Sequence, residues 1–219
     1  MTKHLQIDLQ NLERNLLALG ARVEDAVRRS IIALSTQRAD LAREVIAGDT
    51  EIDNAEVALE EECLKVLALH QPVAGDLRFV AACLKITNDL ERIGDLAVSI
   101  SKRALAIESA DTAIAPPDLA KMTEATTAML RATLEAFIAE DGQAARQVIQ
   151  DDDLVDKLHR ENLRGLMSRM ESDSSSINGA MLYISVSRHL ERIADHATNI
   201  AEDVIYLTEG IIVRHQGLA

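Results

Sequence analysis

From Leu9 the apolar residues fall at Leu9, Leu12, Leu16, Leu19, Val23 and Ala26, alternating steps of three and four that draw one stripe along a helix. The stripe predicts a long first helix ending before Ala39. Asp40 to Ala47 reads as a short helical stretch broken at Gly48, which makes Asp49 the N-cap of a second helix. There Ile52, Ala55, Leu59, Cys63 and Val66 keep the stripe. Gln71-Pro72-Val73-Ala74-Gly75 is a predicted turn, because proline has no N–H to donate and restricts the residue before it, and Asp76 is the expected cap of the third helix. That helix carries Phe79, Cys83, Ile86, Leu90, Ile93, Ala97, Ile100 and Ala104 at bundle spacing. Ser109 to Pro117 is small and polar, breaks the periodicity, and is the candidate linker.

The third helix recurs. Leu90-Glu91-Arg92-Ile93-Gly94-Asp95 returns 100 residues later as Leu190-Glu191-Arg192-Ile193-Ala194-Asp195, and its stripe returns as Tyr183, Val186, Leu190, Ile193, Ala197, Ile200 and Val204. Upstream the offset is 103, matching Arg43, Val45, Ile46, Asp49 and Asp53 to Arg146, Val148, Ile149, Asp152 and Asp156. The slip falls in the turn, where Asp173 to Ser175 is the shorter counterpart of His70 to Gly75. The pattern implies an all-α fold of two tandem antiparallel three-helix bundles related by an internal repeat, residues 1–110 and 116–219, expected to form a rod.

Composition narrows the chemistry. The chain has 219 residues, 47% of them hydrophobic but only two Phe, two Tyr and no Trp, so the core must be aliphatic. Nine Gly and three Pro are too few for a structure of many strands and tight turns. A net charge of −13, with no run of Lys or Arg, excludes a nucleic-acid partner. No apolar run is long enough to span a membrane and Met1 to Gln10 lacks the apolar region of a signal peptide, so a cytoplasmic protein is expected. Cys63 and Cys83 have neither disulfide-framework nor metal-motif spacing and read as buried thiols.

The repeat also duplicates an acidic pattern. Asp49/Asp53, Glu91/Asp95, Asp152/Asp156 and Glu191/Asp195 are i,i+4 pairs, each placing like charges side by side on one helix face. With the first turn centred near Val73, Asp53 falls level with Ile93, between Glu91 and Asp95; with the second near Ser174, Asp156 falls level with Ile193. Four carboxylates in each bundle can therefore line one groove, joined by Glu56 and Glu60 in the first and His159 in the second. Such a groove suits a multivalent cation: magnesium, calcium and manganese favour carboxylate oxygen, and iron and zinc accept it beside imidazole. The alternative is an ordinary solvated helix face, since 36 acids make chance pairs common; recurrence at matched levels is what favours a site. His189 and His196 read as structural histidines, and Arg92 and Arg192 as makers of surface ion pairs. Asp156-x-x-His159 occurs once, short of a di-iron core, and no nucleophile or phosphate loop is visible.

The twice-occurring Leu-Glu-Arg-Ile-Gly/Ala-Asp, the Gln71-Pro72-Val73-Ala74-Gly75-Asp76-Leu77-Arg78 turn and the tandem bundles resemble the PhoU family of phosphate-uptake regulators, over essentially the whole chain. The resemblance implies a cytoplasmic, non-catalytic accessory protein of the phosphate ABC transporter that helps a sensor histidine kinase repress phosphate-starvation genes. Its expected partners are the transporter ATPase and the kinase's sensory domain, with the membrane reached only through them, and a homodimer is the expected assembly. It also implies metal clusters, of iron, zinc, magnesium or manganese, on Glu91, Asp95, Asp49 and Asp53 and on Glu191, Asp195, Asp152 and Asp156. Gly94 against Ala194 and Asp89 against His189 allow the two sites to differ. Two rival readings are a carboxylate-bridged metal protein that hydrolyses a substrate or stores metal, and a scaffold whose acids only solubilise it.

Overall fold

The computed structural model describes residues 3–109, 116 and 118–213. Its long helices are α1 (Lys3–Thr36), α2 (Ala39–His70), α3 (Ala74–Ser109), α4 (Leu119–Ala139), α5 (Gly142–Ser172) and α6 (Ile177–Glu209), with a single 3₁₀ turn at Ser174–Ser176 before α6. There is no strand among the described residues. Helices α1, α2 and α3 pack on one another, as do α4, α5 and α6, giving one three-helix bundle per repeat. The aliphatic stripes supply the cores: Leu12, Leu16, Leu19, Ile86, Leu90 and Ile93 are buried in the first bundle, and Val186, Leu190, Ile193 and Ile200 in the second. Cys63 and Cys83 are free thiols within the first core, and burial pushes the Cys63 thiol up to about 12.

Several expectations change. Gly48 does not break a helix: α2 runs without interruption through it, so Asp49 is a mid-helix residue and not an N-cap. Burial of Val45 and Ile52 on either side outweighs the roughly 1 kcal/mol that glycine costs a helix interior. Asp76 lies within the first turn of α3, where its charge suits the helix dipole, because α3 begins at Ala74. Of the candidate linker, Ser109 belongs to α3, while 110–115 and 117 lie outside the described residues.

The bundles do not follow one another as a rod. They lie side by side, with α3 packed on α6 as extensively as on its own bundle partners. This seam runs antiparallel: Lys85 Nζ meets Asp203 Oδ1 at 2.9 Å, Asn199 Nδ2 donates to Asp89 Oδ1 at 3.4 Å, and Arg103 Nε donates to Ser185 Oγ at 3.0 Å. Each pair's residue numbers have the same sum, so with a repeat offset of 100 the pseudo-twofold centre falls at Gly94 and Ala194. Arg78, reaching the Leu207 carbonyl at 3.4 Å, and the stacked Phe79 and Phe137 rings, 6.2 Å between centroids, close one end. Helices α1 and α4 add a lighter contact in which Arg131 grips Glu24 through two nitrogens.

Near that centre the repeats exchange one methyl group. A Cβ at Gly94 would stand 3.2 Å from Ile52 Cγ2 and 3.3 Å from Ile52 Cδ1; at the equivalent positions of the second repeat, Ala194 has its Cβ and Val155 is smaller than Ile52, both fully buried. Overpacking costs about 1–3 kcal/mol and the gain in helix propensity returns about 1 kcal/mol. Gly94→Ala should therefore destabilise by about 1 kcal/mol, and combined with Ile52→Val it should cost at least about 0.5 kcal/mol less than the two single changes added together. Urea denaturation of the four proteins measures that coupling.

Candidate functional site

The two acidic constellations form where α2 crosses α3 and where α5 crosses α6. On α3, Glu91 and Asp95 sit one turn apart beside Gly94, and the missing side chain at Gly94 lets α2 close in with Ile52 and Asp49. The register is the one a turn at Val73 implies, with Ile52 opposite Gly94. Asp49 feels both Asp53 on its own helix and Asp95 across the gap, and Glu91 feels Asp95, Glu56 and Asp53. Structure thus brings Asp49, Asp53, Glu91 and Asp95 together and adds Glu56, with Glu60 beside Glu56. In the second repeat Asp152, Asp156, Glu191 and Asp195 all lie within electrostatic reach of one another.

Crowding of like charges at half-buried positions shows in the protonation equilibria. Burial, and then Asp53 and Asp95, hold the Asp49 carboxyl above its usual range; burial and Asp95 do the same to Glu91, against the pull of Arg92. Burial and Asp195, Asp156 and Glu191 push Asp152 up to about 6. Glu191 and Asp195 are raised too, by burial first. The same atom is stranded in each repeat: Asp49 Oδ1 and its equivalent Asp152 Oδ1 are both buried without a hydrogen-bond partner. A buried carboxylate oxygen with nothing to accept from is costly, and its recurrence at paired positions points to a common cause.

Partial neutralisation comes from arginine. Arg92 lies 3.3 Å from Glu91 and 3.3 Å from Asp95, and Arg160 lies 3.1 Å from Asp156. His196 is held through Nδ1 by Asp89 Oδ1 at 2.7 Å, the structural role expected of it, whereas His159, expected to join the second groove, is held through Nδ1 by Ser187 Oγ at 2.9 Å. Among the described residues no three His, Cys, Asp or Glu side chains already enclose a point at metal-ligand distance. Two features are invisible in the sequence pattern. One is Asp203, only 2% exposed, whose salt bridge to Lys85 crosses the seam; the other is a polar plug of Asn162 and Ser187 against Met122 Sδ in the second core. Nothing in an apolar pattern marks either, because their partners lie far away in the chain.

An all-helical pair of three-helix bundles related by an internal repeat, each with an acidic cleft where two helices cross, defines a duplicated helical-bundle protein. The comparisons make that class specific. The PhoU domain profile matches residues 16–104 and 119–204. The chain is 40% identical over 209 residues to the phosphate-specific transport system accessory protein PhoU homolog of Aquifex aeolicus, covering 95% of each chain. It is 33% identical over 221 residues to the phosphate-specific transport system accessory protein PhoU of Escherichia coli, covering 99% of this chain and 92% of that one. The crystal structure of PhoU from Pseudomonas aeruginosa superposes with a TM-score of 0.92 at 35% identity, over 94% of this chain and 99% of that one. The chain belongs to the PhoU family.

Acids whose folded pKa is raised destabilise the fold above that pKa, and the penalty fades as pH falls through it towards the unfolded value. His159 and His189, held below their ordinary range by burial, act in the opposite sense, so overall stability mixes the two. The difference between Asp152→Asn and the parent isolates the carboxylate. With chelator present, Asp152→Asn should be more stable by about 1 kcal/mol at pH 7.5, and the advantage should shrink as pH falls through about 6. Denaturation curves at each pH provide the test.

Proposed function

We propose that this chain is a cytoplasmic accessory protein of the phosphate-specific transport system, acting by contact between the transporter ATPase and a sensor histidine kinase to repress the phosphate-starvation response. The observation that carries this reading is the family relationship along nearly the whole chain, in sequence and in fold. A crystal structure of the phosphate transport system regulatory protein PhoU from Streptococcus pneumoniae also superposes, at a TM-score of 0.90 and 30% identity over 95% of this chain and 99% of that one, and its name supports the regulatory part. No helix among the described residues is long and apolar enough to cross a membrane, which fits a protein that reaches the transporter from outside the bilayer. A net charge of −13 spread over long helices supports salt-sensitive docking on basic patches, including a second copy's exposed arginines in a homodimer.

The acidic clefts fit a metal. Their donors are carboxylates, the choice of hard cations, and Asp49 Oδ1 and Asp152 Oδ1 are buried oxygens lacking a partner. Asp49, Asp53, Glu91 and Asp95 would hold one ion or cluster, and Asp152, Asp156, Glu191 and Asp195 the other. Bound there, the ion supplies positive charge that relieves the repulsion and ties the two helices of each hairpin together. Each bundle has a continuous apolar core, which supports a fold that stands without the metal.

Deleting the gene should derepress phosphate-starvation genes in phosphate-rich medium, and the tagged protein should recover the ATPase or the kinase from solubilised membranes at low salt. Normal repression with neither partner recovered would overturn the adaptor reading. Changing Glu91, Asp95, Glu191 and Asp195 together to Ala should abolish metal measured by elemental analysis while leaving the helical circular dichroism intact. Chelation of the parent protein should lower its Tm by only a few degrees, whereas global unfolding would make the sites structural.

A further inference from the structure

The two hairpin turns of the repeat differ in kind. The second, Asp173 to Ser176, is polar and closes on itself: Asp173 Oδ1 accepts from the backbone N–H and the hydroxyl of Ser175 at 2.9 and 2.6 Å, and Ser176 Oγ donates to the Asp173 carbonyl at 2.7 Å. In the first, Gln71 and Ala74 hold left-handed backbone, at φ 45° and 51°, on either side of Pro72 and Val73. A residue with a Cβ adopts that region at a cost, and such strain gathers where a chain makes contacts. The turn so shaped presents Leu69, Val73 and Leu77 to solvent, Val73 being 73% exposed and Leu69 66%.

Exposed apolar surface continues around that end of the molecule. His70 Nε2 and Asp8 Oδ2 meet at 2.8 Å, tying the start of α1 to the end of α2, and Arg78 brings the start of α3 to the end of α6 through the Leu207 carbonyl. Ile7 of α1, Ile138 at the end of α4 and Ile211 just past α6 are all exposed there, outside the core that Phe79 and Phe137 close. At the α5–α6 turn the exposed large apolar residues are Ile177 and Met181. Exposed apolar side chains scattered singly are ordinary, but a gathering of them at one end marks a contact surface.

A cavity of about 390 Å³ opens at the same end, between α1, α3 and the end of α6. Leu9 and Phe79 give it apolar walls, and Glu13, Asp76 and Glu140 line it as well. None of these three acids makes a salt bridge among the described residues. Arg78 is the one basic residue of the lining, and its Nε is turned to the Leu207 carbonyl. A recess with apolar walls and a surplus of carboxylates suits the aliphatic stem and charged head of an arginine or lysine.

We propose that this end docks on the transporter ATPase, with Leu69, Val73 and Leu77 seated in an apolar recess of that subunit and one of its arginines or lysines entering the cavity beside Glu13, Asp76 and Glu140. This assignment rests on the accessory role proposed above and adds the surface through which it acts. The ATPase, rather than the kinase, is the occupant because it is part of the transport system itself. A second copy meeting this end to end would bring the same acids and repel, and an anionic bilayer would repel it too. Apolar knobs beside unpaired acids fit instead a protein surface that is apolar at its centre and basic at its edge.

The test is biolayer interferometry of the full-length protein against the detergent-solubilised phosphate transporter carrying its ATPase, at several salt concentrations. Val73→Glu combined with Leu77→Glu should weaken binding at least about tenfold, whereas Ile177→Glu combined with Met181→Glu at the other turn should leave it unchanged. Glu13→Gln combined with Glu140→Lys should weaken it about fivefold and flatten its dependence on salt. Circular dichroism melting confirms that the variants fold. As a second readout in phosphate-replete cells, a benzophenone photocrosslinker at position 73 should form an adduct with the ATPase, and one at position 177 should not. Unchanged affinity in the Val73/Leu77 or the Glu13/Glu140 variant, or an adduct at position 73 with a second copy, a lipid or the kinase instead, would overturn this docking surface and leave the accessory role standing. A parent protein that itself fails to bind the transporter would overturn both.

Discussion

The antiparallel packing of α3 on α6 is the constraint on which the rest of the molecule depends. Each helix serves two faces: one carries the aliphatic stripe of its own bundle, and the other meets its counterpart across the seam. The second face is also spaced in threes and fours, through Lys85, Asp89, Arg92, Leu96, Ser99 and Arg103 on α3, but it is mostly polar. Its cohesion comes from matched partners, Lys85 with Asp203 and Asp89 with His196, at positions where one partner without the other would leave a poorly solvated charge. Such pairs fix register more than they add stability, and this register brings the two acidic clefts to either side of a pseudo-twofold axis.

Duplication explains why the clefts exist twice, and divergence explains why they differ. The backbone approach that puts Asp49 beside Asp95 needs room at Gly94 because Ile52 is large; in the second repeat, the smaller Val155 accommodates Ala194. The packing of each hairpin has been preserved by changing both of its sides. Around the seam, where packing is less demanding, the charges have moved apart: His189 and Lys102 face one groove, and Asp89 and Glu202 occupy the equivalent positions of the other. A symmetric scaffold has acquired two chemically distinct faces.

The helices, their stripes, the tandem repeat and the grouping of the eight carboxylates were legible in the sequence, since each comes from i,i+3 and i,i+4 spacing or from the register a short turn imposes. Gly48 carries a local helix-breaking signal that the burial of Val45 and Ile52 beside it overrides. The rod expectation failed for a related reason: a stripe containing Lys85, Asp89, Arg92 and Arg103 looks like a solvated face until its complement is seen. The buried Asp203 stayed hidden on the same account, its partner lying on another helix more than 100 residues away.

By itself the sequence determined the all-helical class, the two aliphatic cores, the internal repeat and the recurrence of acids at helical spacing, because these depend on neighbours within a turn or across one hairpin. The tertiary structure alone decided how the bundles sit together, which polar residues are buried, and that cations gather beside His189 in a chain of net charge −13. Those outcomes depend on complementarity between distant segments. Apolar periodicity cannot encode that complementarity, because a charged side chain has the same pattern whether it faces water or its partner.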